Sequence, residues 1–344
     1  MTRQVTIAEV AKLAGVHEST VSRALNPETR SIVNEKTAKR VQAAAESLNY
    51  APNIMARGLR TRLSMTIGVI IPDLTNPIFP SIIRGIERHL APLGYTTLLA
   101  DADSSKDLES SAISSLTQRQ VDGFIIATGV EKSALMKSLE KSGLPVVLVN
   151  RGAGSSTYPL VTGNDDSGIK EAVAHLAQFG HREIVHIAGP QSFSTSKGRA
   201  KSIANACQAH SIKLTTVEAE ALTVEQGEIA TSKLLETPNR TFTAIQASTD
   251  LLALGALRAI RKHGLHCPDD ISVIGFNDMP FAEEFSPGLT TVRVPLEDIG
   301  NESARQLMRV LEEKKTAPIV VSLPVELIVR ASTGTAKGSA TAKS

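Results

Sequence analysis

The sequence predicts a small all-α head followed by an α/β body of two doubly wound, parallel-sheet lobes. Three observations carry this. Residues 6–26 read as two short helices joined by a tight turn, and from Met65 onward short β-rich runs alternate with helical stretches, twice over. Charge divides in the same place: residues 1–62 hold ten Lys/Arg against five Asp/Glu, and the remaining 282 hold 27 against 30. A basic head before a slightly acidic body is the asymmetry expected when only the head meets phosphate. At 344 residues the chain is too long for one compact core.

In the head, Thr6 followed three residues later by Glu9 is a capping box for a first helix. Gly15 supplies the positive φ with which that helix stops. Ala8 and Ala11 are small enough to let a second helix cross closely, and Val10, Val16, Val21 and Leu25 lock the pair. Outward on the second helix stand Glu18, Ser19, Ser22 and Arg23, a short polar stripe that suits the major groove of DNA. An ordinary helical hairpin is the competing reading. Pro27 then interrupts the chain, Asn34 caps a third helix, and Val41, Ala45 and Leu48 line its inner face. The head therefore covers 1–49. A linker at 50–62 follows, in which Ile54–Arg60 is too short and too Gly-containing to be helical unaided.

In the body, strands are predicted near Thr66–Pro72, Thr96–Ala100, Gly123–Ala127 and Pro145–Asn150, with helices near Pro80–Leu93, Asp107–Arg119 and Ser133–Ser142. A second series has strands near Ile184–Ala188, Lys213–Val217, Ala244–Ala247 and Ser272–Phe276. Helices near Ser167–Gln178, Gly198–His210, Val224–Leu235 and Leu251–His263 lie between them. Several strands are unbroken apolar runs, as in parallel sheets covered on both faces. Runs near Thr290–Val294 and Leu323–Val329 are expected to return the chain to the first lobe and then close the second. The lobes are thus 63–162 plus 290–322, and 163–289 plus 323–333. From Ser332 the composition is Thr/Gly/Ala/Ser/Lys, and disorder is expected, with 334–344 as a tail.

Several classes are disfavoured. Cys207 and Cys267 form neither a disulfide framework nor a metal cluster. The start of the chain lacks the pattern of a secretory leader, and no stretch approaches the roughly 18 unbroken apolar residues of a membrane span. A cytoplasmic location with no membrane contact is expected. No G-x-S-x-G elbow, P-loop or H-E-x-x-H is present, so neither enzyme chemistry nor a metal is expected.

The ordered motifs resemble those of the LacI/GalR family of transcriptional repressors. They are Thr6–Asn26; Tyr50-x-Pro52-Asn53-x-x-Ala56-Arg57-x-Leu59; Gly68–Asp73; Gly180-His181-Arg182-x-Ile184; Asp250-x-x-Ala253-x-Gly255-Ala256; Asp270–Phe276; and Leu289–Val292. The resemblance spans about Thr6 to Thr333. It implies a helix-turn-helix head, a periplasmic-binding-protein-like body, a homodimer on a pseudo-palindromic operator, and a sugar-like effector with no cofactor. Sugars, polyols and nucleosides are the expected ligands. It assigns base-edge contacts to Glu18, Ser19 and Arg23. Thr20 and Ser22 fall nearer phosphate, with Thr6, His17 and Asn26 completing the DNA set. Arg23 can donate two bonds to guanine, and Glu18 can accept from cytosine or turn aside toward Arg23 or Arg30. His17 stands where many relatives have a small hydroxyl cap. In the hinge, Asn53, Ala56 and Arg57 would lie along the minor groove, with Leu59 as an apolar wedge. Effector positions fall on Ile78, Phe79, Asn150, Arg151, Asn164, Arg199, Thr249, Asp250 and Asn277. Phe79 has core packing as its competing role, and Arg199 a structural salt bridge. Asn164 and Asn277 replace aspartates common in relatives, and an amide donates as well as accepts. The alternatives are a global regulator controlled by a phosphocarrier protein and a purine- or nucleoside-responsive repressor.

Overall fold

The computed structural model describes residues 5–26, 29–50, 63–102, 106–128, 139, 143–152, 157–313 and 318–337. These form two compact units, residues 1–64 and the remainder. The head has three helices, α1 (Ile7–Ala14), α2 (Glu18–Leu25) and α3 (Glu35–Ser47). The capping box is present: the Thr6 backbone N–H donates to Glu9 Oε2 at 2.8 Å, and Glu9 N–H donates to Thr6 Oγ1. Gly15 ends α1 at φ 60°. Val10, Ala11, Ala14, Val21, Ala24, Ala38, Val41, Ala44 and Ala45 form one buried cluster. Ala8, expected at the crossing, is exposed; Ala11, also expected there, is buried, as is Ala14.

The body has β1 (Thr66–Ile71), α4 (Ile78–Leu90), β2 (Thr96–Asp101), α5 (Lys106–Gln118), β3 (Gly123–Ile126), β4 (Val146–Val149) and β5 (Leu160–Gly163). It continues through α6 (Asp165–Gln178), β6 (Glu183–Ala188), α7 (Ser194–Ala209), β7 (Lys213–Glu218), α8 (Val224–Leu235), β8 (Ala244–Ala247), α9 (Asp250–Lys262) and β9 (Ser272–Asn277). Last come β10 (Thr290–Arg293), α10 (Leu296–Glu313), β11 (Val320–Leu323) and β12 (Glu326–Ile328). Two sheets result, ordered β11-β5-β4-β3-β1-β2 and β12-β10-β9-β8-β6-β7. Every pairing is parallel except β10 with β12. The central strands β3, β8 and β9 are buried at every residue, as helices on both faces require.

Three expectations need correction. Thr290–Arg293 does not return to the first lobe but pairs with β9, in parallel, inside the second sheet. The chain crosses after it, so that α10 packs on α4 and β11 joins the first sheet. The expected strand over Leu323–Val329 is two short strands in different sheets, parted by Pro324, which cannot donate to a ladder. Nor are the described residues Ser332–Lys337 disordered. Ser332 is fully buried, its hydroxyl donating to Val273 O at 2.6 Å and accepting from Thr290 N–H at 2.8 Å. Gly334 O bonds His181 Nε2 at 3.0 Å, and Ala336 N–H donates to Phe179 O at 2.8 Å. Low apolar content misleads here because the segment is held by backbone and hydroxyl bonds rather than by apolar burial. The predicted helix over Ser133–Ser142 lies outside the described residues except for Leu139, as do the tail residues beyond Lys337.

Three crossovers join the lobes, at Asn164, at Val294–Pro295 and at Pro324–Val325. Asn164 N–H donates to Leu323 O at 2.8 Å, which ties two of them together. A Cβ on Gly163 would meet Val325 at 3.1 Å and Val294 at 3.2 Å, so all three strands of chain converge there. Among the described residues no helix is long and apolar enough to cross a membrane.

Candidate nucleic-acid interface and inter-lobe cleft

Helix α2 is amphipathic. Val21 and Ala24 enter the head core, while His17, Glu18, Ser19 and Arg23 are exposed and Thr20, Ser22 and Asn26 are partly so. His17 does cap this helix despite its size: the ring Nδ1 accepts from Ser19 N–H at 3.2 Å and lies 2.9 Å from Ser19 Oγ. That contact fixes the ring as an acceptor at Nδ1 and leaves Nε2 to carry the proton outward. Among the described residues Glu18 makes no ion pair with Arg23 or Arg30. The sideways reading of Glu18 is therefore not realised in the free head. Thr6 is committed to its cap. Asn53, Ala56, Arg57 and Leu59 of the expected hinge lie outside the described residues.

In the body, the carboxyl ends of β4, β6 and β9 lead to Asn150, Arg151, Arg199 and Asn277 at the lobe junction, where a doubly wound fold places its ligands. Arg199, on α7, is 4% exposed. Its Nε donates to Asp165 Oδ2 at 2.7 Å, Nη1 to Ser248 O at 2.6 Å and Nη2 to Asn277 Oδ1 at 3.5 Å. The guanidinium lies 3.8 Å above the Phe276 ring. The structural salt bridge is thus real, and it also fixes Asn277, whose backbone has φ 114°. Arg151 follows β4 in the first lobe and reaches across to Phe193 of the second, its guanidinium 4.0 Å from the ring centroid. Beside it Gly152 N–H donates to Ser194 Oγ at 2.9 Å, a second bond between lobes. Burial, and after it the neighbouring charge of Arg199, lowers the Arg151 pKa to about 10. Asn150, at φ 63°, turns the chain so that Arg151 points this way.

Other expected ligands are otherwise engaged. Ile78 and Phe79 belong to the buried core cluster, Phe79 with no exposed surface, so the flat face expected to stack on a ligand is covered. Asn164 is exposed and caps α6 through Ser167 N–H. Thr249 caps α9. Asp250 accepts from Thr291 Oγ1 at 2.5 Å and Met279 N–H at 2.7 Å, and burial raises its carboxyl to about 6. It anchors the β9–β10 corner rather than facing a ligand.

Phe193, Asp165 and Ser248 were missed from sequence. Phe193 could have been found: it is one of only eight phenylalanines, placed between the end of a strand and the start of a helix. A separate open hollow of about 540 Å³ lies on the outer face of α4, lined by Leu74, Pro80, Ile83, Arg84, Glu87, Arg88 and Ala91. None of these groups lines it.

Comparison with known proteins agrees with this arrangement. Residues 6–53 match the bacterial regulatory proteins of the lacI family, and residues 173–333 match the periplasmic binding protein-like domain. A ribose operon repressor from Halalkalibacterium halodurans is 33% identical over 328 residues, covering 95% of this chain and 97% of that protein. The crystal structure of the lac repressor dimer bound to operator and the anti-inducer ONPF superposes with a TM-score of 0.87 at 27% identity, over 96% of this chain and all of that one. A LacI family regulator from Enterococcus faecium with bound ribose gives 0.70 at 30% identity, over 79% of this chain and all of that one. The chain belongs to the lacI family of bacterial regulatory proteins: it is a transcriptional regulator with a DNA-binding head and an effector-binding body, not an enzyme.

Proposed function

We propose that the chain is a cytoplasmic repressor that binds a pseudo-palindromic operator as a homodimer and changes its operator affinity when a small polyol, sugar or nucleoside enters the inter-lobe cleft. No cofactor takes part. The observation that supports this most directly is the exposed polar stripe of α2. Glu18, Ser19 and Arg23 stand exposed on a helix whose opposite face is fully used by the core. Arg23 is the guanine reader, and Ser19 and Glu18 contact neighbouring base edges. Two heads are needed to read two half-sites, so the dimer follows from the operator symmetry. The apolar hollow on α4 is one surface that such a pairing can cover. In this reading Asn53, Ala56, Arg57 and Leu59 form the hinge along the minor groove.

Operator binding by fluorescence anisotropy tests the reading. The affinity should fall steeply with salt, because paired heads neutralise several phosphates and release their counterions. Arg23→Ala should cost about 1–3 kcal/mol and relax the preference at one base pair of each half-site. Salt-independent binding, or an Arg23→Ala protein as selective as the parent, would refute it.

A further inference from the structure

Among the described residues Arg151 has no hydrogen-bond partner for Nε or Nη1, although only 4% of the residue is exposed. A buried, unsatisfied guanidinium is among the least favourable groups a folded chain can hold. Its neighbours do not complete it. Phe193 offers only a ring face at 4.0 Å. Arg199 adds a second positive charge, and that repulsion outweighs the attraction of Asp73. Asp73 Oδ1 already accepts from Thr75 N–H at 2.8 Å and Thr75 Oγ1 at 2.6 Å, and Asp165 is paired with Arg199. Asn277 contributes a neutral amide where it faces Arg199. Among the described residues no carboxylate lies within ion-pair distance of Arg151, so the lobe junction holds a buried guanidinium with two idle donors and no paired charge.

We propose that the cleft takes an anionic effector, a sugar acid or a sugar phosphate, whose oxyanion is bound by Arg151. This rests on the reading of the cleft as the effector site. A hydroxyl supplies an acceptor but leaves the charge unbalanced; a carboxylate or phosphate supplies both. The position suits a switch as well. Arg151 belongs to the first lobe and is seated on Phe193 of the second, so an anion held there acts on both lobes.

Thermal-shift and calorimetric titration of the full-length protein test this, at one ionic strength set with potassium chloride. The probes are glucuronate and gluconate, glucose 6-phosphate and ribose 5-phosphate, and the neutral parents glucose and ribose. At least one acid or phosphate should bind ten-fold or more tightly than its neutral parent, and the two anion arms say which oxyanion is preferred. Arg151→Met should lower that affinity at least ten-fold while raising the melting temperature of the ligand-free protein, since an unpaired buried charge is removed. The raised melting temperature also shows that the variant folds. Neutral sugars binding as tightly as their acids, or an Arg151→Met protein with unchanged anion affinity, would overturn the proposal. If those neutral sugars lose affinity in Arg199→Gln, the cleft reading survives that failure. If no probe binds at all, both fall.

Discussion

Asp250 and His186 pull the pH dependence of the body in opposite directions. Burial raises the Asp250 carboxyl to about 6, so the folded chain keeps a proton that the unfolded chain has lost, and its contribution to stability falls as pH rises from about 4 to 6. His186 is fully buried on β6, where its Nδ1 donates to Gln246 O at 3.0 Å. Burial lowers its pKa to about 4, so its contribution is complete above about 6.5 and is lost as pH falls toward 4. Each effect is worth on the order of 3 kcal/mol. His175 and His181 are also lowered by burial, so the histidines prevail. The melting temperature should therefore fall from pH 7 to pH 5. It should fall more steeply in Asp250→Asn, which removes the opposing carboxyl, and less steeply in His186→Gln. A wild-type melting temperature that rises on acidification would contradict this account. At this scale the sequence was a partial guide. Arg199, Arg151 and Asn277 reach the cleft from expected positions, whereas Phe79 and Asp250 are turned inward, because pattern locates a residue on an element without saying which contacts compete for its side chain.

Helix α10 shows how an element is held by what it lacks. It crosses α4 so closely that a Cβ on Gly300 would lie 2.0 Å from Ile82 O, and one on Gly85 would lie 1.9 Å from Glu297 O. Neither obstacle is a side-chain tip that can swing away; both are backbone. Gly300→Ala should cost about 1–3 kcal/mol by forcing the helices apart, read as a lower urea midpoint with an unchanged slope. A variant as stable as the parent would show that the crossing relaxes freely. Most elements were legible in the sequence from periodicity, usually to within a few residues at each end. The strand Leu160–Gly163 was not, since only Leu160 and Val161 are strongly apolar and no alternation can be seen over four residues. The sheet to which Thr290–Arg293 belongs was not legible either. Its pairing with β9 is a long-range choice that leaves no mark on local pattern.

For the whole molecule, the function requires that two ligands communicate through one chain. If an effector changes operator affinity by some factor, operator DNA must change effector affinity by the same factor. Anisotropy of the operator with and without effector, and calorimetry of the effector with and without operator, should return equal factors; unequal factors would mean that the two ligands do not act through a single equilibrium. The convergence of all three crossovers at Gly163, Val294 and Val325 gives such an equilibrium a compact place to turn. By itself the sequence determined the basic head, the double strand–helix series, the family and the residues offered to DNA, because caps, periodicity and charge are local properties written along the chain. Only the tertiary structure decided where the chain crosses between lobes, that Ser332–Lys337 is bonded into the second lobe, and that Arg151 is buried with Nε and Nη1 unpartnered among the described residues. Each of these depends on which distant groups share a hydrogen bond or fail to, and burial of a polar group is a property of the surroundings rather than of the residue.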